Sequence, residues 1–233
     1  LYSVPENTNK GTYAEWYWNA LNEDPNTAKK HRRERQHAIT KFHNKNYGKD
    51  FEYASFRNMF NAELFNPDEW ANVFKRSGAK YVVLTSKHHD GYCLYPSKEA
   101  SESYGMTWNT VDSGPNRDLV GDLTNSVRAE GIKMGLYYSI WDWYNPYWDA
   151  KQQKILSSGS MAVDFKGDNS KANKFAKKEV KAAKKGLDKY IKEVMYPQVK
   201  QLVNDYQPAL LFSDGDWWMD YNKWQTLPLL SWV

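Results

Sequence analysis

Gly78-Ala-Lys-Tyr-Val-Val-Leu-Thr-Ser-Lys-His-His-Asp-Gly91 decides the fold. Its middle, Lys80 to Ser86, is short, β-branched and almost continuously apolar, and it ends in a dense polar cluster. A run that does not alternate suits a strand buried on both faces of a parallel sheet. Two further stretches repeat the pattern. Lys133-Met-Gly-Leu-Tyr-Tyr-Ser139 leads into Ser139-Ile-Trp-Asp-Trp143, and Ala209-Leu-Leu-Phe-Ser-Asp214, entered through Pro208, leads into Ser213-Asp-Gly-Asp-Trp217.

Helical patterns lie between these strands. Asn66-Pro-Asp-Glu-Trp-Ala-Asn-Val-Phe-Lys-Arg76 has an Asn cap, a Pro in the first turn and a stop at Gly78. Asp118 opens a second, with Leu119, Leu123 and Val127 on one face and Gly131 closing it. Residues 187–206 form a third, which Pro197 should kink or split. Strand and helix alternate, which predicts an α/β fold with a parallel sheet and crossover helices. Long loops follow the strand C-termini, where open sheets and closed barrels alike place their sites. No Gly-rich phosphate loop follows a strand, which weakens a nucleotide-binding reading.

Composition narrows the function class. Aromatic residues make up 16% of the chain, with 11 Trp and 17 Tyr, an excess that suits sugar rings. The net charge of +4 is evenly mixed apart from a lysine-rich, arginine-free stretch at 166–192, which reads as a solvated helix face and not as a nucleic-acid surface. Cys93 is the sole cysteine, so no internal disulfide forms. No run of about 18 apolar residues spans a membrane, and no signal peptide is visible in a chain that opens at Leu1. Residues 157–186, rich in Ser, Lys, Ala and Asn, read as an exposed insertion running into a helix.

The polar clusters are the candidate site. Asp214, at the end of a buried strand, needs partners or a task. His88 and His89 are neighbours whose side chains should diverge on an extended backbone. As metal ligands they lack further His at ligand spacing, since His31, His37 and His43 lie in a basic, polar stretch, so hydrogen bonding to a sugar outranks a metal. Asp142 is as well explained by capping a loop as by a site role.

Together these stretches resemble glycoside hydrolase family 29, the α-L-fucosidases. The resemblance is carried by Leu1-Tyr-Ser-Val-Pro5, Glu15-Trp-Tyr17, Phe65-Asn-Pro-Asp-Glu-Trp70, the run from Gly78 to Tyr92, Arg117-Asp-Leu-Val120, Gly135-Leu-Tyr-Tyr-Ser139, Tyr196-Pro-Gln198 and Phe212-Ser-Asp-Gly-Asp-Trp217. It implies a (β/α)8-like (TIM) barrel, here partial, lacking the first strand and the last strands. Residues 1–233 would be one incomplete catalytic domain with an insertion at about 157–186. It implies a retaining enzyme that removes terminal α-L-fucose from glycans, with Asp214 as nucleophile. His88, His89, Glu15 and Trp16 would hydrogen-bond fucose hydroxyls. Tyr138 would line the pocket near the nucleophile, with Tyr137 as the alternative facing residue, and Trp217 would lie at the rim.

The family's His-Trp-Gly motif and its acid/base carboxylate would fall outside residues 1–233, so the segment alone is expected to be inactive and poorly folded. No metal or organic cofactor is implied. The partner is a fucosylated glycan, with no nucleic acid and no membrane span, and a homo-oligomer is left open. The location implied is secreted, periplasmic or lysosomal. Two alternatives stand beside this reading: a non-catalytic fucose- or glycan-binding protein on the same fold, and a metal-dependent hydrolase using His88, His89 and Asp214.

Overall fold

The computed structural model describes residues 14–23, 30–148, 150–157 and 177–233. The Leu1–Pro5 motif and residues 158–176 of the expected insertion lie outside them. The chain divides into two compact units, residues 1–62 and 63–233.

In the first unit, a 3-10 turn (Ala14–Trp16) leads into α1 (Tyr17–Leu21), followed by α2 (Lys30–Asn46) and a second 3-10 turn (Tyr53–Asn58). Its core is aromatic. Tyr17, Tyr53 and Phe56 are buried, and Trp18 stacks on Tyr53 with ring centroids 4.6 Å apart. His43 is part of this core. Its Nε2 lies 2.7 Å from the Phe51 carbonyl oxygen, which only accepts, so Nδ1 receives the Tyr17 hydroxyl proton at 2.8 Å. The basic, polar stretch of the sequence is therefore a helix with one narrow buried stripe, Ile39 and His43 four residues apart.

In the second unit, α3 (Pro67–Arg76) is capped by Asn66, whose side chain accepts from the Glu69 N–H at 3.2 Å. β1 (Tyr81–Lys87) follows, then α4 (Lys98–Tyr104) and α5 (Leu119–Ala129), the latter capped by Asp118 accepting from Gly121 at 2.8 Å. After β2 (Lys133–Ser139) come α6 (Ala150–Ser157) and α7 (Lys177–Tyr190). A π-helical turn, Ile191–Met195, joins α7 to α8 (Tyr196–Tyr206). The π turn is how the helix meets Pro197, which has no N–H to donate to the preceding turn and whose ring crowds it. β3 (Leu210–Asp214), a 3-10 turn (Asp216–Trp218) and α9 (Thr226–Leu230) complete the unit.

The three strands are parallel in the order β1-β2-β3. This is the expected α/β class. One sheet face is buried: Met134, Leu136 and Tyr138 lie beneath it, with Leu119, Leu123 and Val127 of α5 and Val199 and Leu202 of α8 in the core. The other face is open. Register aligns Val83, Gly135 and Leu210 in one row and Thr85, Tyr137 and Phe212 in the next, and Leu210 and Phe212 are 44% and 53% exposed. Asp214 ends β3 in register with Ser139.

β1 does not run straight to its end. Its pairing shifts between Thr85 and Lys87, so that Thr85 faces Tyr137 and Lys87 faces Tyr138. This extra residue reverses the side-chain parity. Lys87 turns from the open face into the core, where Nζ donates to the Tyr190 hydroxyl at 3.0 Å. Burial pushes the Lys87 ammonium below its ordinary range, although the nearby Asp142 opposes the shift.

Candidate active site

Asp214 is half-buried at the C-terminal end of β3, and three donors reach its carboxylate. Tyr137 donates to Oδ2 at 2.5 Å, Gly215 N–H to Oδ1 at 2.6 Å and Trp217 Nε1–H to Oδ1 at 3.0 Å. Burial favours the neutral acid, but the bonds from Tyr137, Trp217 and Gly215, with the nearby His89, outweigh it and hold the carboxyl below its ordinary range. The group is ionised near neutral pH.

His89 lies behind it. Its Nε2 is 3.6 Å from Asp214 Oδ2, and its Nδ1 is 2.5 Å from Ser139 Oγ. Only 1% of the residue is exposed. Burial, together with the adjacent His88, lowers its pKa to about 4 in spite of Asp214, so the ring is neutral near pH 7. His88 is half-buried, and its ring stacks on Tyr137 at 5.9 Å. The two imidazole rings are 4.2 Å apart. The expected divergence of the pair does not occur, because β1 ends at Lys87 and the chain turns at His89-Asp90 towards Gly91, whose φ is 77°. Ligand atoms of His88, His89 and Asp214 lie within 4.8 Å of one another.

Tryptophans frame the cluster. Trp141 stacks on Trp218 at 3.9 Å and meets Trp217 edge-on at 5.3 Å, while Trp143 lies 5.0 Å from the His89 ring. Trp217 is 57% exposed, a flat apolar face beside the carboxylate.

A match to the α-L-fucosidase family model runs over residues 1–233. The chain belongs to the α-L-fucosidase family. It is 36% identical over 233 residues to an α-L-fucosidase of Dictyostelium discoideum, a match covering all of this chain and 42% of that one. To human plasma α-L-fucosidase it is 32% identical, covering all of this chain and 40% of the relative. The crystal structure of Thermotoga maritima α-fucosidase superposes with a TM-score of 0.61 at 32% identity, covering 96% of this chain and 43% of the other. The same enzyme in complex with fucose gives a TM-score of 0.60 at 33% identity, with 96% and 43% covered. The chain thus spans about two fifths of the length of these fucosidases.

Of the residues that the family resemblance singled out, His88, His89, Asp214 and Trp217 come together. Tyr138 does not join them. It lies on the buried face, donating to Gln198 Oε1 at 2.8 Å, while Tyr137 faces Asp214. Adjacent strand residues point to opposite faces, so only one of the two tyrosines can face the carboxylate. Glu15, exposed, and Trp16, half-buried, stand on the 3-10 turn of the first unit. Asp142 is buried and serves the loop, accepting from Tyr104 at 2.5 Å and Asn145 at 3.2 Å; burial raises its pKa. Sequence reasoning missed Ser139 and Trp141, which hold His89. Their only signal was their place in the Ser139-to-Trp143 cluster after a strand.

Proposed function

We propose that this chain carries the nucleophile and part of the sugar site of a retaining α-L-fucosidase acting on terminal fucose of glycans. The Asp214 carboxylate carries the reading: it is ionised, fixed by three donors and set beside two imidazoles. A carboxylate held in one orientation at a strand C-terminus is what nucleophilic displacement at a sugar carbon needs.

In this reading the three strands belong to a (β/α)8-like barrel whose interior is the open sheet face, and residues 157–186 are an insertion in it. An Asp214 oxygen attacks the anomeric carbon as the bond to the leaving oxygen breaks. A second carboxyl group, to which no residue of this chain is assigned, protonates that oxygen and then deprotonates the water that cleaves the glycosyl-enzyme. His88 and His89 bind sugar hydroxyls, Tyr137 takes the place expected of Tyr138, and Trp217 offers a ring to the C6 methyl. A secreted, periplasmic or lysosomal location accords with the plasma relative's name.

Asp214→Ala in the full-length protein should cut p-nitrophenol release from p-nitrophenyl α-L-fucoside by more than about a thousandfold with folding preserved. Turnover close to wild type would remove Asp214 from the reaction. In the wild-type protein the first product seen by proton NMR should be the α anomer; the β anomer would sink retention.

The clustering of His88, His89 and Asp214 also raises the metal-dependent alternative. Ligand atoms around tetrahedral zinc sit roughly 3.3 Å apart, closer than the 4.8 Å limit of this cluster. Closing it would compete with the bonds that fix Asp214. Activity should therefore survive exhaustive chelation; loss on chelation with recovery on adding zinc would select the metal reading.

A further inference from the structure

Helices α7 and α8 and the π turn between them make one continuous rod. Tyr190 and Met195, which flank the turn, keep helical dihedrals, the first with φ −56° and ψ −47°, the second with φ −61° and ψ −51°. The rod runs antiparallel to the strands, since its C-terminal end feeds β3. Tyr190 marks where it passes the sheet edge: its hydroxyl donates at 3.1 Å to the carbonyl oxygen of Ile140, the residue after β2. Residues 177–189 therefore rise beyond the strand C-termini, for about 20 Å along the helix at about 1.5 Å per residue. They are seated on the loop after β2. A Cβ at Gly186 would collide with the Tyr147 carbonyl oxygen, and Lys189 Nζ lies 3.8 Å from the centre of the Tyr147 ring. Asp214 stands on this same edge, in register with Ser139.

The inner stripe of α7 is Ala183, Leu187 and Tyr190, all buried. Opposite it stand Lys177, Lys178, Lys181, Lys184 and Lys185, all exposed. At about 100° per residue, the five share a sector of about 120°. Lys181 is their centre, because the other four occupy i−4, i−3, i+3 and i+4, the positions that neighbour it on a helix surface. None of the five pairs with a carboxylate among the described residues. The acids of α7 are engaged elsewhere, Glu179 with Lys151 at 2.5 Å and Asp188 with Gln225 Nε2 at 2.6 Å. A helix face that only meets water gains from interleaved signs, because like charges one turn apart repel. This face forgoes that gain.

We propose that the lysine face of α7 docks a sulfated glycan chain beside the Asp214 site. The choice of a glycan rests on the glycosidase reading; the charge argument does not. Sulfate esters stay anionic at every working pH, and their charge, spread over three oxygens, is met by ammonium groups from many directions. Carboxylates and duplex phosphates are better matched by a planar guanidinium fork, and α7 has no Arg. A membrane is a poor occupant, because the apolar stripe that would enter it is packed in the core. Docking adds affinity for the chain without touching the reacting sugar.

The probe is heparin, which is sulfated and contains no fucose, titrated calorimetrically into the full-length protein and into its Lys181→Glu variant. The substitution sets a carboxylate one turn from four ammonium groups, so the helix gains favourable pairs and folding is not at risk. Heparin should bind the wild type, less tightly as salt rises, and should bind the variant about tenfold or more weakly. Equal affinity in the two proteins would overturn the proposal. So would equal binding of the wild type to polygalacturonate, which carries carboxylates and no sulfate, or to vesicles of anionic phospholipid. Turnover of neutral p-nitrophenyl α-L-fucoside should be the same in both proteins; a loss in the variant would put the lysines in the reaction site and refute a separate docking face. Heparin binding through Lys181 in a protein that leaves fucosides untouched would end the fucosidase reading alone. Fucoside turnover without heparin binding would end the docking face alone.

Discussion

Gly215 illustrates how little latitude the neighbours of Asp214 have. Its φ of 85° is one that side chains rarely adopt, and a Cβ there would lie 2.7 Å from Trp141 Cβ and 3.0 Å from Trp141 N. The tryptophan cannot yield, because its N–H is bound to Ser139 and its ring is stacked on Trp218. Gly215→Ala should cost about 3 kcal/mol of unfolding free energy, combining left-handed strain with overpacking, readable in a urea titration of the full-length protein. An unchanged midpoint would mean that the turn is softer than it looks. At this scale the sequence was legible where residue types contrast sharply with what precedes them, as with His88, His89 and Asp214 after apolar strands. It was mute on Asp142. The same aspartate could cap a loop or serve a site, and it is Tyr104, brought from 38 residues away, together with Asn145 three residues on, that decides for the loop.

Strands and helices were easier to read than their faces. The helix caps at Asn66 and Asp118 are where the residue types place them, and the three strands differ by a residue or so from their apolar runs. The Tyr137–Tyr138 pair was harder. Two equivalent tyrosines alternate across a strand, and which one faces the carboxylate depends on partners distant in sequence. The shift in β1 likewise has no local mark, yet it decides that Lys87 is buried. A mutant pair tests the face assignment. Tyr137→Phe removes a donor that favours the ionised form of Asp214, so the acidic limb of kcat/KM should move to higher pH. Tyr138→Phe should leave that limb in place and lower stability by about 1–2 kcal/mol through the loss of its bond to buried Gln198. If Tyr138→Phe moved the limb and Tyr137→Phe did not, the faces would be exchanged.

Across the whole molecule the site leaves a signature in acid. His89 titrates at about 4 in the fold against an ordinary 6.5. Between those values the unfolded chain holds the proton and the folded chain does not, so unfolding free energy falls as pH drops through that window. Asp214 acts in the same direction at lower pH, because its depressed pKa stabilises the fold above the ordinary 3.8 and that gain is lost as the carboxylate is protonated. A plot of Tm against pH should therefore decline first through the His89 window, and His89→Gln should flatten that part of the curve. An equal slope in the variant would show that the imidazole takes its proton as readily folded as unfolded. The open sheet face has a consequence for biosynthesis. Val83, Leu210 and Phe212 stay wet on three strands alone, and extended hydrophobic side chains are what a holdase grips. On the proposed barrel reading, a nascent chain that has emerged as far as β3 would thus offer its chaperone handle and its future interior on one and the same surface.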